Sequence, residues 1–274
     1  MNHHPPASIR LRALDVIIRE QEILRRINLD VLPGELFVLL GTTGAGKSTL
    51  LRCIAGLDPI SRGEVWIDER PITRVAARRR PTALMFQAYL LWPHMTVAEN
   101  IAFALHRSGL THRQRRERVA QELAFVGLAE FGRHLPSQLS AGQQQRVALA
   151  RTLAADARIG LFDEPFSAQD PGLRERLLRG LRRRQQQGTT TTLLATPERD
   201  EAMRVADRIA VIHQGELQQL GTPRELYDAP CNRRVAAATG SVNLLGGEIE
   251  YAGEQALFRT HNGMVLSLIH ISEP

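Results

Sequence analysis

Short apolar runs recur along this chain and alternate with segments of helical periodicity. The first strong run, residues 36–40, follows a Pro-Gly turn and predicts a buried strand. Runs of the same character lie at 83–87, 159–163, 191–195 and 209–212. Because strands buried in a parallel sheet read as continuous apolar runs separated by helices, the pattern predicts an α/β fold with a mainly parallel sheet.

One long segment interrupts this alternation. Residues 96–155 contain no convincing strand pattern, which predicts a helical subdomain, about 88–155, inserted into the sheet domain. Near residue 240 the residue pattern changes to glycine-rich segments in which apolar and polar residues alternate, such as 247–251. This pattern predicts the start of a small β domain. We therefore expect the main domain to occupy residues 1–240.

The end of the chain is expected to divide further. Residues 241–265 are predicted to be the start of an accessory domain that is truncated. Residues 266–274 resemble the in-frame translation of a sequencing adapter, so we expect a non-native tail there. A natural last strand is the alternative, because residues 265–271 are apolar enough to form one.

Composition narrows the class of protein. A hydrophobic content of 43% is enough for a core and argues against disorder. The net charge of +6 would suit a nucleic-acid partner, but the arginines are scattered and no nucleic-acid-binding signature accompanies them, so we expect none. No apolar stretch approaches the ~18 residues that span a bilayer. Cys53 and Cys231 lie far apart, which indicates free thiols in a reducing compartment.

The basic residues contain one exception that points to chemistry. Of the 35 lysines and arginines, Lys47 is the only lysine. It closes a G-x-x-x-x-G-K-S loop that follows a predicted strand and precedes a predicted helix, the context that a phosphate-binding loop requires. A compact ammonium on a flexible stem reaches β- and γ-phosphates as a point charge, which a planar guanidinium does less well. The candidate nucleotide-binding residues are Gly41, Thr42, Thr43, Gly44, Ala45, Gly46, Lys47, Ser48 and Thr49.

A second element is an acidic pair at the end of an apolar strand. Asp163 can hold Mg²⁺, with Ser48 as the other protein contact. Glu164 is then placed to orient or deprotonate an attacking water. Taken alone, one acidic pair after a strand would be an ordinary loop start.

A third element lies at the start of a predicted helix. Residues 139–146 (Leu-Ser-Ala-Gly-Gln-Gln-Gln-Arg) place Ser140 and Gly142 where a helix N-terminus offers free N–H groups to an anion. Taken alone, the segment would be a good N-cap. Together with the phosphate-binding loop, it resembles the signature of the ATP-binding cassette (ABC) family. Residues 85–87 (Met-Phe-Gln) are similar to that family's Q-loop, and 167–170 (Ser-Ala-Gln-Asp) to its D-loop.

The resemblance covers about residues 10–250 and implies a P-loop NTPase core that uses ATP and Mg²⁺. It implies that Glu164 and Gln87 are catalytic, because Gln87 would touch the metal and the attacking water. The implied metal ligands are Ser48, Gln87 and Asp163.

The resemblance also implies partners. Two subunits would close head to tail, so that each ATP lies between the Lys47 loop of one and Ser140, Gly142 and Gln143 of the other. The helical subdomain would pass this motion to transmembrane permease subunits, and indirectly to a solute-binding protein. The chain would then be cytoplasmic and peripheral on the inner face of the cell membrane.

Residues 220–245 resemble importer subunits for polyamines, ferric iron, phosphonates, sulfate or sugars, in which this tail leads into an oligonucleotide-fold-like accessory domain. We therefore predict the ATP-hydrolysing subunit of a bacterial importer for a small solute. A soluble ABC protein acting on DNA or ribosomes is disfavoured, because such proteins usually carry two cassettes or long coiled coils.

Three positions depart from the family pattern. Pro197 stands where the family's switch histidine should follow Thr196, and proline offers neither imidazole nor backbone N–H. The stretch around Ile18 has no aromatic residue to stack on adenine. Ala141 replaces a usual glycine. The alternative function is therefore a nucleotide-dependent switch or binding subunit with weak hydrolysis.

Overall fold

The computed structural model describes residues 5–106, 108–188, 190–240, 246–252, 255–260 and 265–267. The chain divides into two compact units, Met1–Gly240 and Ser241–Pro274. Both cysteines are free thiols, Cys53 buried and Cys231 exposed. Within the described ranges, no helix is long and apolar enough to cross a membrane.

The described strands follow one another along the chain from residue 9 to residue 267. They are β1 (Ile9–Ile18), β2 (Gln21–Val31), β3 (Leu36–Leu40), β4 (Arg62–Ile67), β5 (Arg70–Pro71), β6 (Thr82–Met85), β7 (Ile159–Asp163), β8 (Thr191–Thr196), β9 (Arg208–His213), β10 (Glu216–Gly221), β11 (Gly247–Ala252), β12 (Gln255–Thr260) and β13 (Val265–Ser267).

The described α-helices lie between residues 47 and 239. They are α1 (Lys47–Ala55), α2 (Val97–Ala104), α3 (His112–Phe125), α4 (Ala141–Ala154), α5 (Pro171–Gln186), α6 (Arg199–Val205), α7 (Pro223–Asp228) and α8 (Arg233–Thr239). Short 3₁₀ turns lie at Ala77–Arg79, Ala129–Phe131 and Pro136–Gln138.

The central sheet has the order β10-β9-β3-β8-β7-β6, parallel except for the antiparallel edge strand β10. The prediction of an α/β fold with a mainly parallel sheet is therefore confirmed. In the register, Leu40 pairs with Thr196 and Asp163 pairs with Ala195. Because these strands end side by side, the segments that follow β3, β7 and β8 emerge at one edge of the sheet.

The predicted run 83–87 is two residues too long as a strand. β6 ends at Met85, so Phe86 and Gln87 belong to the following loop. The chain turns there, with the Tyr89 N–H donating to the Phe86 carbonyl at 3.1 Å. An apolar Phe86 after a strand cannot signal this turn, because hydrophobicity does not distinguish a last strand residue from a buried loop residue.

A second sheet is absent from the sequence-based prediction. Strands β2-β1-β4-β5 form an antiparallel sheet. The signal is present, since buried positions alternate with polar ones along parts of both β1 and β2. Irregular register between β1 and β2 breaks the alternation and weakens the pattern.

The segment between β6 and β7 holds helices α2, α3 and α4 without an intervening strand among its described residues. Each helix starts at a hydroxyl cap with a reciprocal glutamate or glutamine three residues later, at Thr96, Thr111 and Ser140. Their apolar side chains join a core cluster with residues of the central sheet. The helical segment is thus packed on the strands that carry the acidic pair.

The second unit contains the antiparallel sheet β11-β12-β13. Leu266 pairs with Phe258 and Ser267 with Leu257. The remainder of the predicted tail, 268–274, lies outside the described residues, as do 241–245.

Candidate nucleotide site

The loop between β3 and α1 encloses the only lysine of the chain. Lys47 is 3% exposed, and its Nζ donates to the carbonyls of Gly41 at 2.7 Å and Thr42 at 2.9 Å. Burial lowers the pKa of Lys47, while the charges of Glu164 and Asp163 oppose that shift. The ammonium is therefore held at the mouth of the loop by acceptors that an anion can replace.

At Gly46 the loop has a backbone conformation and a close contact that a residue with a side chain would not tolerate. Gly46 has φ 99° and precedes α1, and a Cβ there would lie 2.6 Å from Cδ2 of Leu24. This close approach places the β1–β2 hairpin against the loop. The N-terminus of α1 offers free N–H groups and the positive end of a helix dipole, which is the arrangement that binds phosphate.

The predicted metal ligands on the loop and on β7 meet. Ser48 Oγ donates to Asp163 Oδ1 at 2.9 Å, although the two residues come from different elements. Asp163 is 6% exposed at the end of β7. Burial raises the pKa of the Asp163 carboxyl, while the hydrogen bond from Ser48 lowers it. A buried carboxylate whose charge is only partly balanced by its neighbours favours the binding of a cation.

These groups suit Mg²⁺ as a partner of nucleotide phosphates. Among the described residues, no group of three or more histidine, cysteine, aspartate or glutamate side chains could hold a metal ion. One hydroxyl and one carboxylate are hard oxygen donors of the kind that bind Mg²⁺ when phosphates and water complete the coordination. The donor set therefore fits this ion.

The two residues predicted to be catalytic lie together. Gln87 Nε2 donates to Glu164 Oε2 at 3.2 Å. Gln87 is exposed, and Glu164 is half-buried with φ 47°. The structure thus brings Gln87 to Glu164, and its described hydrogen bonds include none from Gln87 to Ser48 or Asp163.

A residue that sequence reasoning missed supports Glu164. Gln145 on α4 is fully buried, and its Nε2 donates to the Glu164 carbonyl at 3.1 Å and to Ser167 Oγ at 3.0 Å. Its Oε1 accepts from the Ala168 N–H at 3.1 Å and Gln169 Nε2 at 2.8 Å. Four hydrogen bonds satisfy this amide completely. A glutamine facing the buried side of an amphipathic helix was the available signal.

The predicted signature residues form the start of α4. Ser140 Oγ accepts from the Gln143 N–H at 3.3 Å, and Gln143 Oε1 accepts from the Ser140 N–H at 2.8 Å. A Cβ on Gly142 would lie 2.8 Å from the Ala168 carbonyl oxygen. In the described part of the chain, no hydrogen bond joins these residues to the loop 41–49. The hydrogen bonds described within one subunit therefore do not connect the two predicted nucleotide-binding segments.

The segment after β8 carries Pro197 and starts at the sheet edge where β3, β7 and β8 end. Pro197 is exposed and follows Thr196, which pairs with Leu40 just before the phosphate-binding loop. Thr196 Oγ1 donates to Glu201 Oε2 at 2.7 Å and accepts from the Glu198 N–H at 3.0 Å. These bonds fix the turn without help from residue 197.

Three features together define a P-loop nucleotide-binding protein. They are a glycine loop that precedes a helix, a Ser–Asp pair behind this loop and a Gln–Glu pair at the neighbouring strand ends. Residues 24–167 match the family described as ABC transporter. The chain is 40% identical over 265 residues to the spermidine/putrescine import ATP-binding protein PotA of Rubrobacter xylanophilus, covering 96% of this chain and 70% of the relative.

A further relative and a solved structure agree. The Fe(3+) ions import ATP-binding protein FbpC of Rhizobium etli is 43% identical over 234 residues, covering 85% of this chain and 66% of the relative. A dimeric ATP-binding cassette, solved in a post-hydrolysis state with ADP and Pi, superposes with a TM-score of 0.71 at 30% identity, covering 78% of this chain and 98% of that one. The chain belongs to the ABC transporter family and carries its ATPase domain. Proteins of this family bind ATP.

Proposed function

We propose that this chain binds and hydrolyses ATP to power a bacterial ABC importer for a small solute. The carrying observation is the convergence of Lys47, the Ser48–Asp163 pair and the Gln87–Glu164 pair at one sheet edge. The sulfate/thiosulfate import ATP-binding protein CysA of Mycobacterium bovis, 43% identical over 239 residues, is a third relative named for import. The alternative, a switch with weak hydrolysis, finds no support among these relatives.

Each residue has a separate task in this proposal. Lys47 and the N–H groups of residues 41–49 bind the β- and γ-phosphates, which orients the terminal phosphate toward the strand edge. Ser48 and Asp163 would hold Mg²⁺, which neutralises phosphate charge when bound. Glu164 accepts a proton from the attacking water, and Gln87 holds the Glu164 carboxylate in place.

The proposed assembly concerns the two predicted nucleotide-binding segments. Because no described hydrogen bond joins Ser140, Gly142 and Gln143 to the loop 41–49 in one subunit, we infer that they complete the site of a second subunit in a head-to-tail dimer. The relative solved with ADP and Pi is dimeric. Transmembrane permease subunits would bind the helical segment 88–155, which locates the chain at the inner face of the membrane, and a solute-binding protein acts only through them.

ATPase assays on the purified chain, alone and with its permease, test this function. We expect phosphate release that requires Mg²⁺ and is lost in Lys47→Ala. Glu69→Gln, a change of an exposed carboxylate at the β4–β5 turn and outside the helical segment 88–155, is the control and should keep the parent rate. A parent that binds ATP but releases no phosphate with its permease would contradict the proposal.

A further inference from the structure

Two residues shortly after Gln87 have left-handed backbones without being glycine. Tyr89 has φ 59° and Leu90 has φ 43°, a region that side-chain-bearing residues rarely occupy. Such conformations persist only where surrounding contacts over-determine them. The turn that follows Gln87 therefore needs an external restraint to keep its shape.

One side chain from another element supplies that restraint. Arg151 on α4 donates Nη1 to the Leu90 carbonyl and Nη2 to the Tyr89 carbonyl, each at 2.8 Å. Its guanidinium also lies over the Trp92 ring, 5.1 Å from the ring centroid. A planar fork that donates two bonds and stacks on an aromatic face can satisfy all three contacts at once. Within the described residues Arg151 forms no ion pair, and burial lowers its pKa.

The next part of the loop is held separately. Asn100 on α2 is 1% exposed and accepts from the Trp92 N–H at 2.8 Å. Its amide donates to the carbonyls of Trp92, Met95 and Thr96. Arg151 is thus the restraint nearer to Gln87, and Asn100 fixes the chain farther along.

We propose that Arg151 is a positioning residue for Gln87. By holding the turn 88–90, it keeps the Gln87 amide within reach of Glu164, although none of its described hydrogen bonds goes to either of these side chains. The inference rests on the proposed ATPase function. Because Gln145 on the same helix holds the Glu164 backbone, α4 supports both members of the pair. Ser140 caps the N-terminus of this helix. A movement of that N-terminus would therefore also shift the contacts that α4 makes with the loops carrying Gln87 and Glu164.

A double-mutant cycle with Gln87→Ala separates positioning from general stability. We expect Arg151→Ala to lower kcat about tenfold, with KM for ATP within about twofold of the parent. In the Gln87→Ala background the same change should lower kcat by less than about twofold, because the side chain to be positioned is gone. An equal loss in both backgrounds would overturn the proposal.

Arg146 provides a matched control. It lies on the same helix, and its Nη1 donates to the Val126 carbonyl at 2.8 Å, away from the catalytic loops. Arg146→Ala removes an equivalent arginine-to-backbone contact, so any effect on kcat should be equal with and without Gln87. If Arg151→Ala does not fold, Arg151→Met is used. It keeps an apolar stem but offers no donor to either carbonyl, and it should reproduce the Gln87-dependent loss; parental kcat in this variant would contradict the proposal.

Hydrogen–deuterium exchange tests the restraint without hydrolysis. In nucleotide-free protein, Arg151→Ala or Arg151→Met should speed exchange of amides in residues 87–92, whereas Arg146→Ala should not. Unchanged protection of 87–92 in either Arg151 variant would overturn the inference even if ATPase activity were present. A parent without Lys47-dependent ATPase activity would instead count against the proposed function alone.

Discussion

The phosphate-binding half and the hydrolytic half of the site are built in different ways. The first half, residues 41–49 with Asp163, is buried, and Lys47 and Asp163 are 3% and 6% exposed. The second half, Gln87 with Glu164 and Pro197, lies on loops with exposed or half-buried side chains. The first half makes its own hydrogen bonds, while the second depends on Gln145 and Arg151 from α4.

This difference separates binding from turnover in physical terms. A loop whose charges and donors are fixed before ligand arrives pays little reorganisation cost, which favours tight binding. A catalytic pair held by a distant helix can be assembled or disrupted by motion of that helix. Substitutions in the first half should therefore change affinity, and those in the second half should change kcat.

The largest expected effect lies in the binding half. Lys47→Ala should weaken Mg-ATP binding by more than ~10²-fold, because a buried ammonium that meets phosphate oxygens is removed. Lys47→Arg should be nearly as harmful, since a planar guanidinium is larger than the ammonium that lies 2.7 and 2.9 Å from the Gly41 and Thr42 carbonyls and does not act as a point charge. Calorimetry measures both, with Arg52→Lys on the same helix as a control. An arginine variant that binds like the parent would remove the distinction between the two cations.

Glu164→Gln tests the hydrolytic half. The amide cannot accept a proton from water, so hydrolysis should slow by at least ~10²-fold while ATP binding is retained. The variant should favour a closed dimer in Mg-ATP, which sedimentation would detect. Normal turnover in this variant would show that another group accepts the proton.

A smaller effect of opposite sign is expected at Pro197. Pro197→His should raise kcat severalfold, up to ~10-fold, with little change in affinity, as expected of a contact made mainly in the transition state. The bonds of Thr196 to Glu201 and Glu198 fix this turn, so the imidazole should replace the proline without rebuilding the loop. Steady-state assays with the permease would include Pro197→Ala, which removes the ring without adding imidazole. Equal kcat in the histidine and parent proteins would contradict the prediction.

The two halves also differ in how far sequence could predict them. The phosphate-binding loop, Ser48 and Asp163 follow from local spacing, because a strand, glycine loop and helix leave little freedom. The apolar run 83–87 predicts Gln87 on a strand, but that strand ends at Met85. The roles of Gln145 and Arg151 depend on which loops α4 packs against, and residue order alone does not contain that information. The sheet β2-β1-β4-β5 escapes prediction because irregular register interrupts its alternation.

The smallest expected effect is on the free energy of folding, and it comes from the buried charge of Asp163 in the binding half. Burial raises the pKa of Asp163 above its ordinary value of 3.8, so an ionised Asp163 costs folding free energy. That cost is absent below the ordinary value, grows as pH rises toward the raised pKa and is complete above it. Asp163→Asn keeps an oxygen that accepts from Ser48 but removes the charge. In nucleotide-free protein the variant should therefore melt a few °C (~2–4 °C) above the parent at pH 8.

The gain should shrink at pH 4.5, where part of the parent's Asp163 is protonated. Excess Mg-ATP should reverse the order at pH 8, because the parent retains the carboxylate that favours the bound ion, binds Mg-ATP more tightly and is therefore stabilised more by it. Differential scanning fluorimetry at both pH values, with and without Mg-ATP, measures these outcomes. Asp156→Asn is the control, since that carboxylate is exposed and its removal relieves no burial. An equal rise in melting temperature at pH 4.5 and pH 8 would show that the charge of Asp163 does not cause it. Burial of this charge would then not destabilise the nucleotide-free protein.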